Sequence, residues 1–111
     1  MDEVIAERVG RNEAVFRRVN EEIEQVNRAF ATLTQTMEVV CECGNIECTE
    51  RFLMTMPAYE RLRADPTHFA VRPGHEIEQF EHVVEENDSY VVVRKDPGVP
   101  ERIAEETDPR R

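Results

Sequence analysis

Cys41, Cys43 and Cys48 are the only cysteines in this 111-residue chain, and they fall within one short segment, Cys41-Glu42-Cys43-Gly44-Asn45-Ile46-Glu47-Cys48. Thiolates are soft donors, and three on one turning segment can converge on a single cation such as Zn²⁺, leaving one corner of a tetrahedron to fill. Gly44-Asn45 is a pair suited to a tight turn with positive φ. Candidates for the fourth donor are His68, His75 and His82, with Glu42, Glu47 and water behind them. His75 directly follows Pro73-Gly74, where a turn holds an imidazole rigidly at the end of a strand, whereas His68 and His82 lie inside strand-like alternation. The expected ligand set is therefore Cys41, Cys43, Cys48 and His75.

Four protein donors would close the shell and make the site structural. Water in fourth place would instead open a hydrolytic role, with Glu42 or Glu47 as general base. A second alternative is a thiol-based redox or metal sensor, since neighbouring thiols can trade a disulfide. An odd number of cysteines cannot pair internally and a Cys-x-Cys disulfide is strained, so metal is favoured over redox switching.

Elements must bring these residues together. Ile5, Val9, Phe16, Val19, Ile23, Val26, Phe30, Leu33 and Met37 alternate at intervals of four and three, with Asn12 in the one gap. That spacing predicts one long amphipathic helix over 1–37, with Arg17, Arg18, Glu21, Glu22, Glu24 and Arg28 on its solvated flank. Its stripe either packs on the protein's own sheet or meets another helix, and because at 1.5 Å per residue it would extend about 45 to 50 Å and overhang a small sheet, the overhanging part is a candidate seam for a homodimer or a protein partner. Asn12 reads as a polar register-setter in that seam, and Gly10 as a weak point where the first turns fray.

Val39-Val40 leads into the cysteine segment and Phe52-Leu53-Met54 leads out, which places the thiols at the tip of a zinc-ribbon-like hairpin. Thr55 and Pro57 then start a short helix with Tyr59 and Leu62 buried, ended by Asp65-Pro66. His68–Arg72 reads as a strand, and 80–86 and 90–95 as a hairpin turning at Asn87-Asp88-Ser89. Residues 97–111 offer little to bury and read as a flexible tail, with one short turn at Ile103-Ala104. The fold class is α+β, organised as the helix at 1–37, a zinc-binding α+β domain at 38–96 and the tail.

Composition narrows the function. A net charge of −10 repels a phosphate backbone, so direct nucleic-acid binding is not expected. No run approaches the roughly 18 apolar residues of a membrane span, and no signal peptide is visible, so a cytoplasmic protein without membrane attachment is expected. No Ser-His-Asp set, phosphate loop or dinucleotide fingerprint is present. Lys95 is the only lysine among many arginines, a bias that more often reflects GC-rich coding than selection for guanidinium chemistry and is given no functional weight.

The string Arg11-Asn12-Glu13, Phe16-Arg17-Arg18-Val19-Asn20-Glu21, Ile23, Cys41-Glu42-Cys43, Cys48-Thr49-Glu50, Tyr59-Glu60, Arg63 and Phe69-x-Val71-x-Pro73-Gly74-His75-Glu76 resembles an uncharacterised family of small proteins and domains from high-GC bacteria. The resemblance covers roughly residues 11–95, is most specific at the Cys-x-Cys loop and the Pro-Gly-His turn, and implies a recurring module without assigning it chemistry. The sequence thus points to a non-enzymatic, zinc-stabilised protein-interaction or regulatory module. The sensor and the metal-dependent hydrolase are the second and third readings.

Overall fold

The computed structural model describes residues 2–30 and 36–110, with the side chains of residues 29 and 30 outside that description. Helix α1 (Asp2–Phe30) is followed by strands β1 (Thr36–Val40) and β2 (Arg51–Thr55), helix α2 (Met56–Arg63), strands β3 (His68–Val71), β4 (Glu81–Glu86) and β5 (Val91–Lys95), and helix α3 (Val99–Glu106). The architecture is α+β with two small antiparallel sheets, the hairpin β1-β2 and a three-stranded sheet ordered β3-β5-β4.

Alternation builds the first hairpin. Met37 pairs with Met54 and Val39 with Phe52, and these four point into the core while Glu38 and Leu53 point out. The Phe52 ring stacks on Tyr90, their centroids 5.1 Å apart. Helix α2 begins as its residues predict: Thr55 Oγ1 accepts from the Ala58 amide at 3.1 Å, Pro57 sits in the first turn, and Tyr59 and Leu62 are buried. Strand β5 is central in its sheet and reads Val91-Val92-Val93, buried on both faces.

Helix α1 packs on the rest of the chain through a face that shares little of the expected stripe beyond Val9. Its buried face is Ala6, Val9, Glu13, Arg17, Asn20 and Glu24, whereas Ile5, Val19 and Val26 of the expected stripe are exposed. Arg17, Glu21 and Glu24, expected on the solvated flank, are buried. Each meets its counter-group or a free carbonyl. Arg17 donates to the carbonyls of Pro66 (2.6 Å) and Ala104 (2.8 Å), and its guanidinium lies 4.6 Å from the Phe69 ring centroid. Glu21 accepts from Arg110 Nε at 2.5 Å, and Glu24 pairs with Arg28. Lys95 is fully buried between Glu13 and Glu81, 2.7 Å from a carboxylate oxygen of each, so the single lysine is a core residue.

Two expected boundaries also move. Met37 lies in β1, so the helix does not run to residue 37; Leu33 lies outside the described residues. Of the expected flexible tail at 97–111, the described residues 97–110 are ordered on the fold, because α3 buries Ile103 and Ala104 and Arg110 ties the segment to Glu21 and Glu60; residue 111 lies outside the described residues. Gly10 is the reason α3 can dock: a Cβ there would stand 2.8 Å from Ile103 Cγ2. Its role is close approach, and the first turns of α1 form around it.

Candidate metal centre

The cysteine segment joins β1 to β2, and the backbone ladder runs one step past the strands, where the Cys41 amide donates to the Glu50 carbonyl at 2.9 Å. The chain then turns towards β3: the Glu42 amide donates to the Ala70 carbonyl at 2.9 Å, and Glu42 Oε1 accepts from the Ala70 amide at 3.1 Å. Alternation does the sorting here. With Glu42 turned into the protein, Cys41 and Cys43 fall to its other side. Asn45 closes the turn, its carbonyl accepting from the Cys48 amide at 2.9 Å and its Oδ1 from the Glu47 amide at 3.0 Å.

His75 arrives from the end of β3. Gly74 adopts φ +91°, the conformation glycine supplies, and the His75 amide donates to the Arg72 carbonyl at 2.9 Å. That turn sets His75 Nδ1 at 3.5 Å from Cys41 Sγ and 3.6 Å from Cys48 Sγ. One ligand atom from each of Cys41, Cys43, Cys48 and His75 lies within 4.8 Å of all the others. Metal–sulfur bonds of about 2.3 Å and a metal–nitrogen bond of about 2.1 Å at tetrahedral angles require a sulfur–nitrogen separation of about 3.6 Å. Those two separations match that value, and the four side chains together could hold a metal ion.

The thiols already share charge among themselves. A hydrogen bond from Cys41 holds the Cys43 thiol down at about 5, against the opposing effect of burial. The same bond pushes Cys41 up, with burial adding to it, and burial pushes Cys48 up. The Arg72 amide, just past the end of β3, also donates to Cys41 Sγ at 3.2 Å, a contact that orients that sulfur.

The other candidates lie elsewhere. His68 Nε2 faces Asp65 at 3.4 Å, and His82 Nδ1 faces Asp96 at 3.0 Å. Glu42 is neither an alternative ligand nor a base beside the thiols. It is fully buried, held by Arg63 at 2.7 Å and Asn20 at 2.8 Å as well as by Ala70. Glu47 is exposed.

The elements that fix the loop include residues whose importance the sequence does not advertise. Asn20 pairs with Val40 in both directions at 2.8 Å, so its amide group extends the edge of β1 as another strand residue would. Asn12, expected in an intermolecular seam, donates to the Gly44 carbonyl at 2.8 Å and ties the loop to α1. Gly44 does not have positive φ; a Cβ there would stand 2.6 Å from Val9 Cγ1, so it is glycine because the loop presses on the helix. The signal that could have found these contacts is the pair of asparagines on one helix face, eight positions apart, in a region of otherwise charged or apolar residues.

Comparison with protein-family models, with curated proteins and with solved structures finds no match for this chain.

Proposed function

We propose that Cys41, Cys43, Cys48 and His75 bind one Zn²⁺ as a structural centre, and that the chain is a non-enzymatic, zinc-stabilised protein-interaction or regulatory module working in the cytoplasm. The observation that carries this reading is the separation of His75 Nδ1 from two cysteine sulfurs, 3.5 and 3.6 Å, which matches a tetrahedral Cys₃His site. Four protein donors leave no position for a reacting water, and the carboxylate nearest in sequence is occupied by Arg63 and Asn20, which disfavours hydrolysis. Zinc would join the β1-β2 hairpin to the turn after β3, adding to the Glu42–Ala70 and Arg72–Cys41 hydrogen bonds between them. Among the described residues no helix is long and apolar enough to cross a membrane. The family resemblance noted above is consistent with a recurring module of this kind.

Cobalt tests the donor set. Co²⁺ added to the metal-free protein is expected to give thiolate charge-transfer absorption near the ultraviolet and strong visible bands of a tetrahedral site, with an endpoint at one ion per chain. Cys43→Ser should weaken the charge-transfer band, and His75→Ala should shift the visible bands; weak octahedral-type bands in the parent protein would refute the site.

Cys48 supports the sensor as a second reading, because it is the one cysteine of the three that is not fully buried. One equivalent of peroxide would take two electrons from two thiolates, forming a disulfide and two waters as protons are taken up, with release of Zn²⁺. Retention of zinc under mild peroxide would eliminate this reading and leave the structural one standing.

A further inference from the structure

The outer face of α1 carries a line of exposed valines. Val4, Val15 and Val26 are 63, 50 and 59 % exposed, and Val19 and Ile5 lie exposed beside them. The three valines are spaced eleven residues apart, which is three turns with a remainder of about 20°, so they form one line down the helix. Exposed Arg8 and Glu22 sit on the same line, between the valines. An open groove of about 400 Å³ lies alongside, edged by Arg11, Ala14, Val15, Arg18 and Val19. With the groove beside them, these exposed valines and the opposite charges between them are the basis for a contact surface.

We propose that this face packs against the same face of a second copy, antiparallel, about a two-fold axis passing at Val15. The inference rests on the reading of the chain as an interaction module and specifies its partner; it does not depend on which ion the cysteines hold. The sequence along the line is self-complementary in this arrangement and not in the parallel one. Inversion about Val15 brings Val4 against Val26 at both ends, Arg8 against Glu22 twice, and Arg11 along Val19, while Val15 meets its own copy beside the groove. A parallel arrangement would set Arg8 on Arg8 and Glu22 on Glu22. Small Ala14 lets the partner approach, and the long stems of Arg11 and Arg18 can cover apolar surface with their charged heads in water.

Light scattering coupled to size exclusion, run on the full metal-loaded chain, tests this. At about 100 μM, a concentration at which micromolar affinity is visible, the expected mass is twice 12.9 kDa. Val15→Glu is expected to return it to one chain with an unchanged far-UV spectrum and metal content, because Val15 is exposed within the chain. Arg8→Glu should weaken association about tenfold, and adding Glu22→Arg to it should restore most of that loss, because the opposed pair is then re-formed with signs exchanged. A single-chain mass for the parent protein would overturn the proposal, as would a dimer that survives Val15→Glu. A dimer indifferent to Arg8→Glu would overturn the antiparallel arrangement. A single-chain parent that keeps its zinc would count against self-association alone, and a dimer without bound metal would count against the zinc centre alone.

Discussion

At the scale of single residues, the interior of this small protein is more ionic than its composition suggests, and Lys95 is the clearest case. Burial alone would depress its pKa, but Glu13 and Glu81 outweigh that and raise it. Two carboxylates facing one ammonium cannot all stay charged at no cost. Burial first, and Glu81 second, push the Glu13 carboxyl well above the usual carboxylate range, and Glu13 Oε2 has no hydrogen-bond partner. Lys95→Met would leave the carboxylates buried without a cation and is expected to lower stability by about 3–5 kcal/mol in urea unfolding. Glu13→Gln should behave oppositely with pH. A carboxyl whose folded pKa lies above its unfolded value contributes stability at low pH that is lost as pH rises through the folded value. Thermal melts at pH 5 and pH 8 should therefore show Glu13→Gln gaining on the parent protein as pH rises; a constant difference would show that Glu13 is ionised throughout. Sequence made the cluster legible, because its three thiols are near neighbours and its histidine follows a turn that glycine dictates. It could not make Lys95 or Glu42 legible, because a buried charge is recognised only by partners that arrive from other elements.

At the scale of elements, the periodicity of α1 identified a helix and misjudged how it faces. Sorting apolar residues inward assigns Val19 and Val26 to the core, yet the helix meets the rest of the chain through Glu13, Arg17, Asn20 and Glu21, each supplied with a partner by a different segment. The hydrophobic rule fails here because paired or capped polar groups can be buried at little net cost, while valines can be left outside for a contact with another chain. Two substitutions separate these faces. Val19→Glu should change the stability of the monomer by no more than about 0.5 kcal/mol, as exposed positions do. Ile103→Ala, in the α3 side chain that Gly10 makes room for, should cost about 2–5 kcal/mol in denaturant unfolding. Equal effects from the two would mean that α1 packs through its apolar stripe after all. The C-terminal segment was unreadable for a related reason, since Ile103 and Ala104 become core only when a glycine on α1 lets them approach.

At the scale of the whole molecule, apolar burial is divided between a main cluster spanning both sheets and a smaller one formed by Ala6, Val9 and Phe80. The cysteine loop lies where they meet, since Gly44 presses on Val9 and Ile77 while Cys41 and Cys43 belong to the main cluster. A cation there would lock together the hairpin, the β3 turn and, through Asn12 and Gly44, the long helix. Chelation should accordingly lower the melting temperature of the entire domain in one transition, with protons competing for the thiolates and weakening the metal below neutral pH. Metal content per chain, measured by elemental mass spectrometry after exhaustive dialysis, tests the central claim most directly. The account predicts one zinc per chain in the parent protein and loss of that zinc in Cys43→Ser; a parent protein that is folded, equally stable and free of metal would contradict it.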